Sequence, residues 1–306
     1  MTLFRIGHLG LAVALLASAC GAAGSSGSSI QAGRASSIPI PDTGVSLAQN
    51  SGGTLIVVSV DPGEPGDNTL QVDLRDATGT SVTASIRVDL TLDGAAGASA
   101  TIRAGAKGAL TVARAGKAGL QVTVVDGKSA GATVTFGLDL PVLRIPQDTL
   151  GEIDRAMEGL HTLREAQTLS GGGPAEVFHF DYQAPDRVRY TVVGATGKID
   201  EARLIGRDRF DSEAGGPWTH SDLGFPSRVP YSAYAPSASR VRVIGHERDG
   251  AVDVTEVAFV QTREVYYRLW FGTQDHLARR YTMMTKGHYM TGTFSDFDAP
   301  LSIAAP

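Results

Sequence analysis

Short runs of alternating apolar and polar residues recur along this chain and constrain its fold more than any other feature. In one of them, Ile86, Val88, Leu90 and Leu92 share one side, and the residues between them are polar. A period of two is that of a β-strand with one buried face. Glycine, proline or aspartate follows such runs. Between residues 51 and 145 the runs predict strands at 55–60, 70–74, 86–92, 109–112, 120–125 and 134–140.

This first segment, residues 51–145, has an unusual composition. Phe136 is its one aromatic residue, and it contains neither histidine nor methionine. We find no helical periodicity in it, and six or seven short strands at regular spacing are typical of a two-sheet sandwich. We therefore expect an N-terminal immunoglobulin-like β-sandwich and a mainly β fold class.

Residues 146–306 differ, because they hold 18 of the 20 aromatic residues, six of the seven histidines and both tryptophans. They open with an amphipathic helix that Asp148 or Thr149 would cap. Its apolar residues recur at steps of three and four, which predicts one buried stripe. The stripe consists of Leu150, Ile153, Met157 and Leu160, with Leu163 as a further candidate.

After this helix the period returns to two. A helix followed by a long antiparallel meander predicts an α+β half-barrel, in which a curved sheet with a packing helix wraps its contents. The predicted strands lie at 177–182, 187–193, 202–205, 207–210, 240–244, 252–261, 266–271, 277–285 and 287–297.

The N-terminus predicts export. Arg5 precedes a short apolar run, residues 9–16, which is shorter than the roughly 20 residues that a membrane-spanning helix needs. Residues 1–19 are therefore predicted to be a signal peptide. The chain's single cysteine, Cys20, follows directly, so intramolecular disulfides and multi-cysteine metal or redox sites are excluded.

The sequence Ala17-Ser18-Ala19-Cys20 resembles a bacterial lipobox. The resemblance implies that Cys20 carries a diacylglycerol group with acyl chains such as palmitate, which would anchor an extracytoplasmic protein to a membrane. The alternative is a simple secretory peptide with a chance cysteine. Residues 20–50, rich in glycine, serine and alanine, predict a flexible tether behind the lipidated cysteine.

Several C-terminal segments form a familiar set: the opening helix, residues 180–190, the Gly215-Gly-Pro-Trp218 turn, residues 267–271 and residues 293–300. Together they resemble the LolA-like superfamily and the LppX/LprG-type lipoproteins. The resemblance implies a half-open barrel around a cavity for lipid or acyl chains. The candidate cavity residues are Phe178, Phe180, Tyr182, Tyr190, Phe259, Tyr267, Trp270, Met284 and Met290. Alternatively, the barrel is solid and these side chains form an ordinary core.

The sandwich is similar to YtkA/CopC-like domains through residues 68–79 and 119–124, which suggests copper homeostasis as an alternative role. Copper sites use imidazole or thioether ligands, and residues 51–145 contain neither. We expect no metal site. His288, Met284 and Met290 are weak candidates, because without a bulge at Gly287 they would share one strand face.

No catalytic signature is present: we find no Gly-x-Ser-x-Gly, His-Glu-x-x-His, phosphate-binding loop or dinucleotide fingerprint. A formal charge of −5 also argues against nucleic-acid binding. We therefore predict a non-enzymatic lipoprotein without cofactors that binds a lipid or other hydrophobic ligand. Its other partners would be the membrane, through the anchor, and an envelope protein at the sandwich. The main alternative is an interaction or sensory protein with a solid barrel.

Overall fold

Antiparallel strands dominate the structure, as the alternating runs predict. The structure is a computed structural model. It describes residues 43–146, 148–170, 175–194, 197–225, 227, 233–261, 265–285 and 288–306. The predicted signal peptide, Cys20 and most of the predicted tether lie outside these residues.

Two four-stranded antiparallel sheets form the first part of the described chain, called here the sheet pair. Their strand orders are β1-β2-β3-β6 and β5-β4-β7-β8. Apolar residues of both sheets pack into one core that includes Phe136 and Ile86, both fully buried. The strands are β1 (Val45–Ser51), β2 (Thr54–Asp61), β3 (Gly66–Arg75), β4 (Ser85–Leu92), β5 (Ala95–Arg103), β6 (Lys107–Val112), β7 (Gly116–Val124) and β8 (Thr133–Leu140).

A 12-stranded antiparallel sheet, called here the large sheet, follows in the described residues. Its order is β15-β14-β13-β12-β11-β10-β20-β19-β18-β17-β16-β9, so it is open, with β15 and β9 at its edges. The strands are β9 (Leu143–Arg144), β10 (Thr162–Ser170), β11 (Glu176–Gln183), β12 (Arg187–Val193), β13 (Ile199–Ile205), β14 (Asp208–Ser212), β15 (Thr219–Asp222), β16 (Ala238–Asp249), β17 (Val252–Gln261), β18 (Val265–Gly272), β19 (Ala278–Thr285) and β20 (His288–Ser295).

The helix α1 spans Asp148–Glu158 and buries Leu150, Ile153 and Met157, the stripe that the sequence predicts. Its buried Asp154 accepts hydrogen bonds from the backbone N–H groups of Tyr234 (2.8 Å) and Ala235 (2.9 Å). These bonds attach α1 to the short 3₁₀ turn Ala235–Ser237. Among the residues described, we see no helix with the length and apolar character that crossing a membrane requires.

Strand β2 joins the two parts because both of its faces are buried. Ile56 and Val58 point into the core of the sheet pair. On the other face, Leu55 and Val57 pack against residues of the large sheet. The continuous apolar run of residues 55–58 therefore reflects two-sided burial. The large-sheet partners of this second cluster are Val260, Tyr266, Met284 and Tyr289.

A buried arginine holds the point where the chain enters β1. Arg242 of β16 is only 2% exposed, and its Nε and Nη2 donate to the Thr43 carbonyl at 3.2 and 3.1 Å. Val45, two residues later, begins β1. The sequence prediction therefore ended the tether, residues 20–50, too late. Residues 45–50 belong to strand β1, and Val45 and Leu47 of this strand enter the sheet-pair core.

Other boundaries also differ from the sequence prediction. The helix ends at Glu158, followed by Gly159, and Leu163 lies on strand β10, which the prediction missed. Strand β5 was missed because its sequence, Ala95–Arg103, is mostly alanine, glycine and polar residues at an exposed edge. Strand β9, residues 143–144, pairs with β16, so the large sheet begins before residue 146.

We predict that the sheet pair and the large sheet unfold together. Leu55→Ala should lower the free energy of unfolding by about 2–5 kcal/mol, because it leaves a cavity in the shared cluster. Both tryptophans, Trp218 and Trp270, lie in the large-sheet part. Tryptophan fluorescence in urea should therefore shift to a lower midpoint although the substitution lies in the sheet pair.

The matched control is Val125→Ala, whose side chain is 55% exposed. This substitution should change stability by less than about 0.5 kcal/mol. An unchanged fluorescence midpoint for Leu55→Ala, with loss of the sheet-pair circular dichroism signal alone, would show that the two parts unfold independently.

Candidate functional site

Strand register divides the large sheet into two chemically different faces. Directly paired residues share a face, and neighbours along a strand alternate. One face, called here the aromatic face, carries Phe180 of β11, which pairs with Tyr190 of β12 and with Glu165 of β10. The other, called here the opposite face, carries Tyr266 and Met284, which contact the sheet pair.

A ladder of rings covers the aromatic face at β11 and β12. Phe178 stacks on Phe180 with centroids 6.0 Å apart, and Phe180 stacks on Tyr182 at 5.6 Å. Tyr190 lies 5.5 Å from Phe180 in a tilted arrangement. All four side chains are buried. Successive same-face positions of β11 thus give one apolar wall.

A second group of rings covers the same face at β17 and β18. Phe259 stacks on Tyr267 at 5.1 Å, and Tyr234 meets both rings edge-on at 5.9 and 6.0 Å. Since the backbone of Tyr234 is bonded to Asp154, this contact connects α1 to the aromatic face.

A row of directly paired apolar residues links the two ring groups across adjacent strands. Leu169 of β10 pairs with Met290 of β20, Met290 with Met283 of β19, and Met283 with Tyr267 of β18. Leu169, Met283 and Tyr267 are partly exposed, whereas Met290 is buried. This row, called here the apolar row, is therefore an accessible part of the aromatic face.

The aromatic face also holds a buried carboxyl group. Glu165 Oε1 accepts hydrogen bonds from Gln167 Nε2 at 2.6 Å and from the Tyr281 hydroxyl at 2.7 Å. The Tyr182 hydroxyl donates to Oε2 at 2.8 Å. The three donors are neutral. Gly292 permits this arrangement, because a Cβ at residue 292 would lie only 2.3 Å from the Tyr281 ring.

Burial raises the pKa of Glu165 above the usual glutamate value, and the three hydrogen bonds oppose that rise only in part. Burial likewise raises the pKa of Tyr281 well above that of an ordinary tyrosine, and the neighbouring Glu165 carboxyl adds to the rise. Removal of the Glu165 proton inside this face is therefore unfavourable.

A paired charge lies further along the same face. Arg209 Nε donates to Asp211 Oδ2 at 2.8 Å, and Arg209 Nη2 donates to the Tyr190 hydroxyl at 3.2 Å. Burial raises the pKa of Tyr190. Arg209 is thus engaged by Asp211 and Tyr190.

Two predicted cavity residues, Trp270 and Met284, lie on the opposite face instead. The Trp270 ring is flanked by the guanidinium groups of Arg268 (4.9 Å) and Arg280 (4.5 Å). Arg268 pairs with Glu256 at 2.6 Å. The sequence prediction failed here because Trp270 and Phe271 are adjacent, and register alone decides which ring faces which side.

The weak metal candidates do not come together either. Met284 pairs with Tyr289, whereas Met290 pairs with Met283, so Met284 and Met290 lie on different faces of the β19–β20 hairpin. His288 lies two residues before Met290 on β20 and therefore shares the face of Met290, not that of Met284. The expectation of one strand face for all three was wrong because the chain reverses between them. Within the described residues no cluster of three or more histidine, cysteine or acidic side chains suits a metal ion.

A polar pocket of about 240 Å³ opens on the opposite face. Arg189 Nε donates to Asp181 Oδ2 at 2.7 Å beside it, and Arg164 Nε donates to Asp181 Oδ1 at 3.1 Å. The pocket is unlike the predicted hydrophobic cavity. Its lining residues are His179, Asp181, Arg189, Thr191 and Glu201.

Sequence reasoning missed several residues of the aromatic face. Glu165 and Leu169 lie on β10, which begins soon after α1 and was partly assigned to the helical stripe. Tyr281 and Met283 lie on a predicted strand but could be assigned to a face only with the register. The signal that would have found Glu165 is the alternation of Leu163, Glu165 and Gln167 within 162–170, a strand that carries an acid at a core-facing position.

Comparisons with known proteins give structural similarity only. LppX, a lipoprotein of Mycobacterium tuberculosis, has a TM-score of 0.43 and 13% identity over 52% of this chain and 100% of its own. LprF from Mycobacterium bovis has a TM-score of 0.38 and 12% identity, over 52% of this chain and 96% of its own. A LolA superfamily protein of Nitrosomonas europaea has a TM-score of 0.25 and 9% identity, over 53% of this chain and 96% of its own. No protein-family model and no curated protein matches the sequence.

We predict that Glu165→Gln changes how stability depends on pH. An acid whose pKa is raised by folding contributes stability below its unfolded pKa and loses that contribution as the pH rises through the folded value. The free energy of unfolding of the wild type, relative to Glu165→Gln, should therefore fall between about pH 5 and about pH 8. Urea denaturation at both pH values measures this difference.

The comparison between the two proteins isolates Glu165, since burial also raises the pKa of Asp154 and of Glu256 and both groups remain in the variant. A difference that is independent of pH, or that grows with pH in favour of the wild type, would contradict a raised pKa at Glu165.

Proposed function

We propose that this protein is a membrane-anchored, extracytoplasmic lipoprotein that binds a lipid or other hydrophobic molecule non-covalently on the aromatic face of its large sheet. The proposal requires no catalytic group and no cofactor. Burial of apolar ligand surface would drive binding at about 25 cal/mol per Å².

The observation that carries the proposal is the gathering of predicted cavity residues on one face. All of them except Trp270 and Met284 share the aromatic face. The apolar row adds a partly exposed path along it, from Leu169 through Met283 to Tyr267. Apolar walls with a few placed polar groups are typical of ligand sites. The C-terminal resemblance to LolA-like proteins supports the same use.

A second candidate is an interaction or sensory protein with a solid interior. The burial of Phe178, Phe180, Tyr190 and Phe259 by other protein atoms favours this alternative. The partly exposed apolar row and the buried carboxyl of Glu165 favour ligand binding, because a solid core is more stable when apolar groups fill it.

The sheet pair is proposed to be an immunoglobulin-like module that serves as a spacer or docking domain. Its orders β2-β3-β6 and β5-β4-β7-β8 match strands A-B-E and C′-C-F-G of such sandwiches, with β1 added beside β2. Since β1 and β2 also contact the large sheet, a partner bound to the sheet pair would be held at a fixed distance from the ligand face.

We predict that Leu169→Asp weakens binding of a hydrophobic fluorescent probe by about tenfold or more, because a carboxylate in the apolar row must lose water when the ligand binds. The matched control is Thr168→Asp, which places the same charge one residue earlier on the opposite face.

Fluorescence titration of the purified protein measures both affinities. Equal affinities of the two variants for the probe, or no binding by the wild type, would contradict ligand binding on the aromatic face.

We further predict that Cys20→Ser releases the protein from the membrane fraction, because the serine oxygen does not receive the diacylglycerol that the cysteine sulfur would carry. Cell fractionation with an antibody to the protein measures this. Retention of Cys20→Ser in the membrane fraction would contradict lipid anchoring, whereas Ser18→Thr, which leaves the cysteine in place, should remain membrane-bound.

A further inference from the structure

The carboxyl group of Glu165 is unusual for its surroundings. It is buried among rings, with Phe180 and Phe294 as its directly paired neighbours. Buried carboxylates in proteins are normally paired with a cation. Among the described residues, its hydrogen-bond partners are an amide and two phenols, none of them charged.

Two charged groups near this face, Arg209 and Asp154, are engaged with other partners. Arg209 pairs with Asp211 on β14. Asp154 of α1 accepts from two backbone N–H groups. Within the described residues, no ion pair compensates the negative charge that Glu165 would carry on ionisation.

The carboxyl group also retains hydrogen-bonding capacity. An ionised carboxylate has about four acceptor positions on its two oxygens. Oε1 accepts two hydrogen bonds and Oε2 accepts one, from Tyr182. One further donor can therefore be accommodated at Oε2.

The position of Glu165 fits a ligand that enters along the apolar row. Glu165 and Leu169 lie on the same face of β10, four residues apart. At about 3.4 Å per residue, this separation is about 14 Å along the strand. A ligand whose chain covers Leu169 could thus place a polar group at Glu165.

We propose that Glu165 selects the ligand: the aromatic face takes an amphipathic molecule whose buried polar group, an amine or a hydroxyl, donates a hydrogen bond to the Glu165 carboxyl group. This inference rests on the proposed hydrophobic-ligand function. A bound ammonium group would supply the cation that the buried carboxyl group lacks, and a hydroxyl group could donate to its free acceptor position. A fatty-acid carboxylate would instead bring an uncompensated negative charge into the same apolar surroundings. The site therefore discriminates against fatty-acid carboxylates and favours long-chain amines and alcohols.

The test compares three ligands that have the same chain: hexadecylamine, hexadecanol and hexadecanoic acid. They are titrated by displacement of a hydrophobic fluorescent probe from the full-length protein at about pH 7.5, where the acid is ionised and the amine protonated. The wild type should bind the amine and the alcohol at least about tenfold more tightly than the acid.

Glu165→Gln should reduce the preference for the amine over the acid to about threefold or less, since an amide cannot ionise to pair with a bound ammonium group. Glu213→Gln, which removes a carboxylate from an exposed turn, should retain the wild-type preference. Tyr182→Phe removes the neutral donor to Oε2 and should increase the preference for the amine.

Equal binding of the acid and the amine by the wild type would overturn the role of Glu165. The role of Glu165 would also be overturned if Glu165→Gln kept the preference for the amine over the acid, or if Tyr182→Phe reduced that preference as much as Glu165→Gln does. If the probe binds while the three ligands differ little, the hydrophobic-ligand function stands and this inference fails. If neither the probe nor any of the three ligands binds, both fail.

Discussion

The contact between strand β2 and the opposite face of the large sheet is the constraint on which the rest of the structure depends. Leu55 and Val57 cover Tyr266 and Met284 there, while Ile56 and Val58 fill the core of the sheet pair. Because this contact occupies apolar side chains of one face, the rings of the other face remain for α1, for one another and for the proposed ligand. The two parts are thus one body with two differently used surfaces.

The aromatic face combines three features that are relevant to ligand binding. Stacked rings form its walls, the apolar row gives a partly exposed path, and the Glu165 cluster supplies polarity at depth. A carboxyl group costs stability in such a place, so its burial among neutral donors is more easily explained by ligand recognition than by packing. The polar pocket beside Asp181 lies on the opposite face and is separate from this site.

Much of the fold could be predicted because its signals are local. Period-two runs indicated most of the strands, and the stripe from Leu150 to Met157 indicated α1. Strands β5 and β1 were missed because small residues or a tether-like composition conceal the pattern. Face assignment was harder: Trp270 and Met284 were expected in the cavity, yet register, a long-range property, turns them toward Arg268 and the sheet pair. Glu165 was missed for a different reason, because its strand, β10, was partly assigned to the helical stripe.

The central claim, that the aromatic face holds a hydrophobic ligand, is tested most directly by native mass spectrometry of the full-length protein purified from its own membranes in mild detergent. The claim predicts an added mass that is lost on denaturation, in contrast to a covalent modification of Cys20, which would persist. It also predicts that the added mass is reduced in Leu169→Asp but not in Thr168→Asp. A native mass equal to the denatured mass, in wild type and both variants, would contradict it.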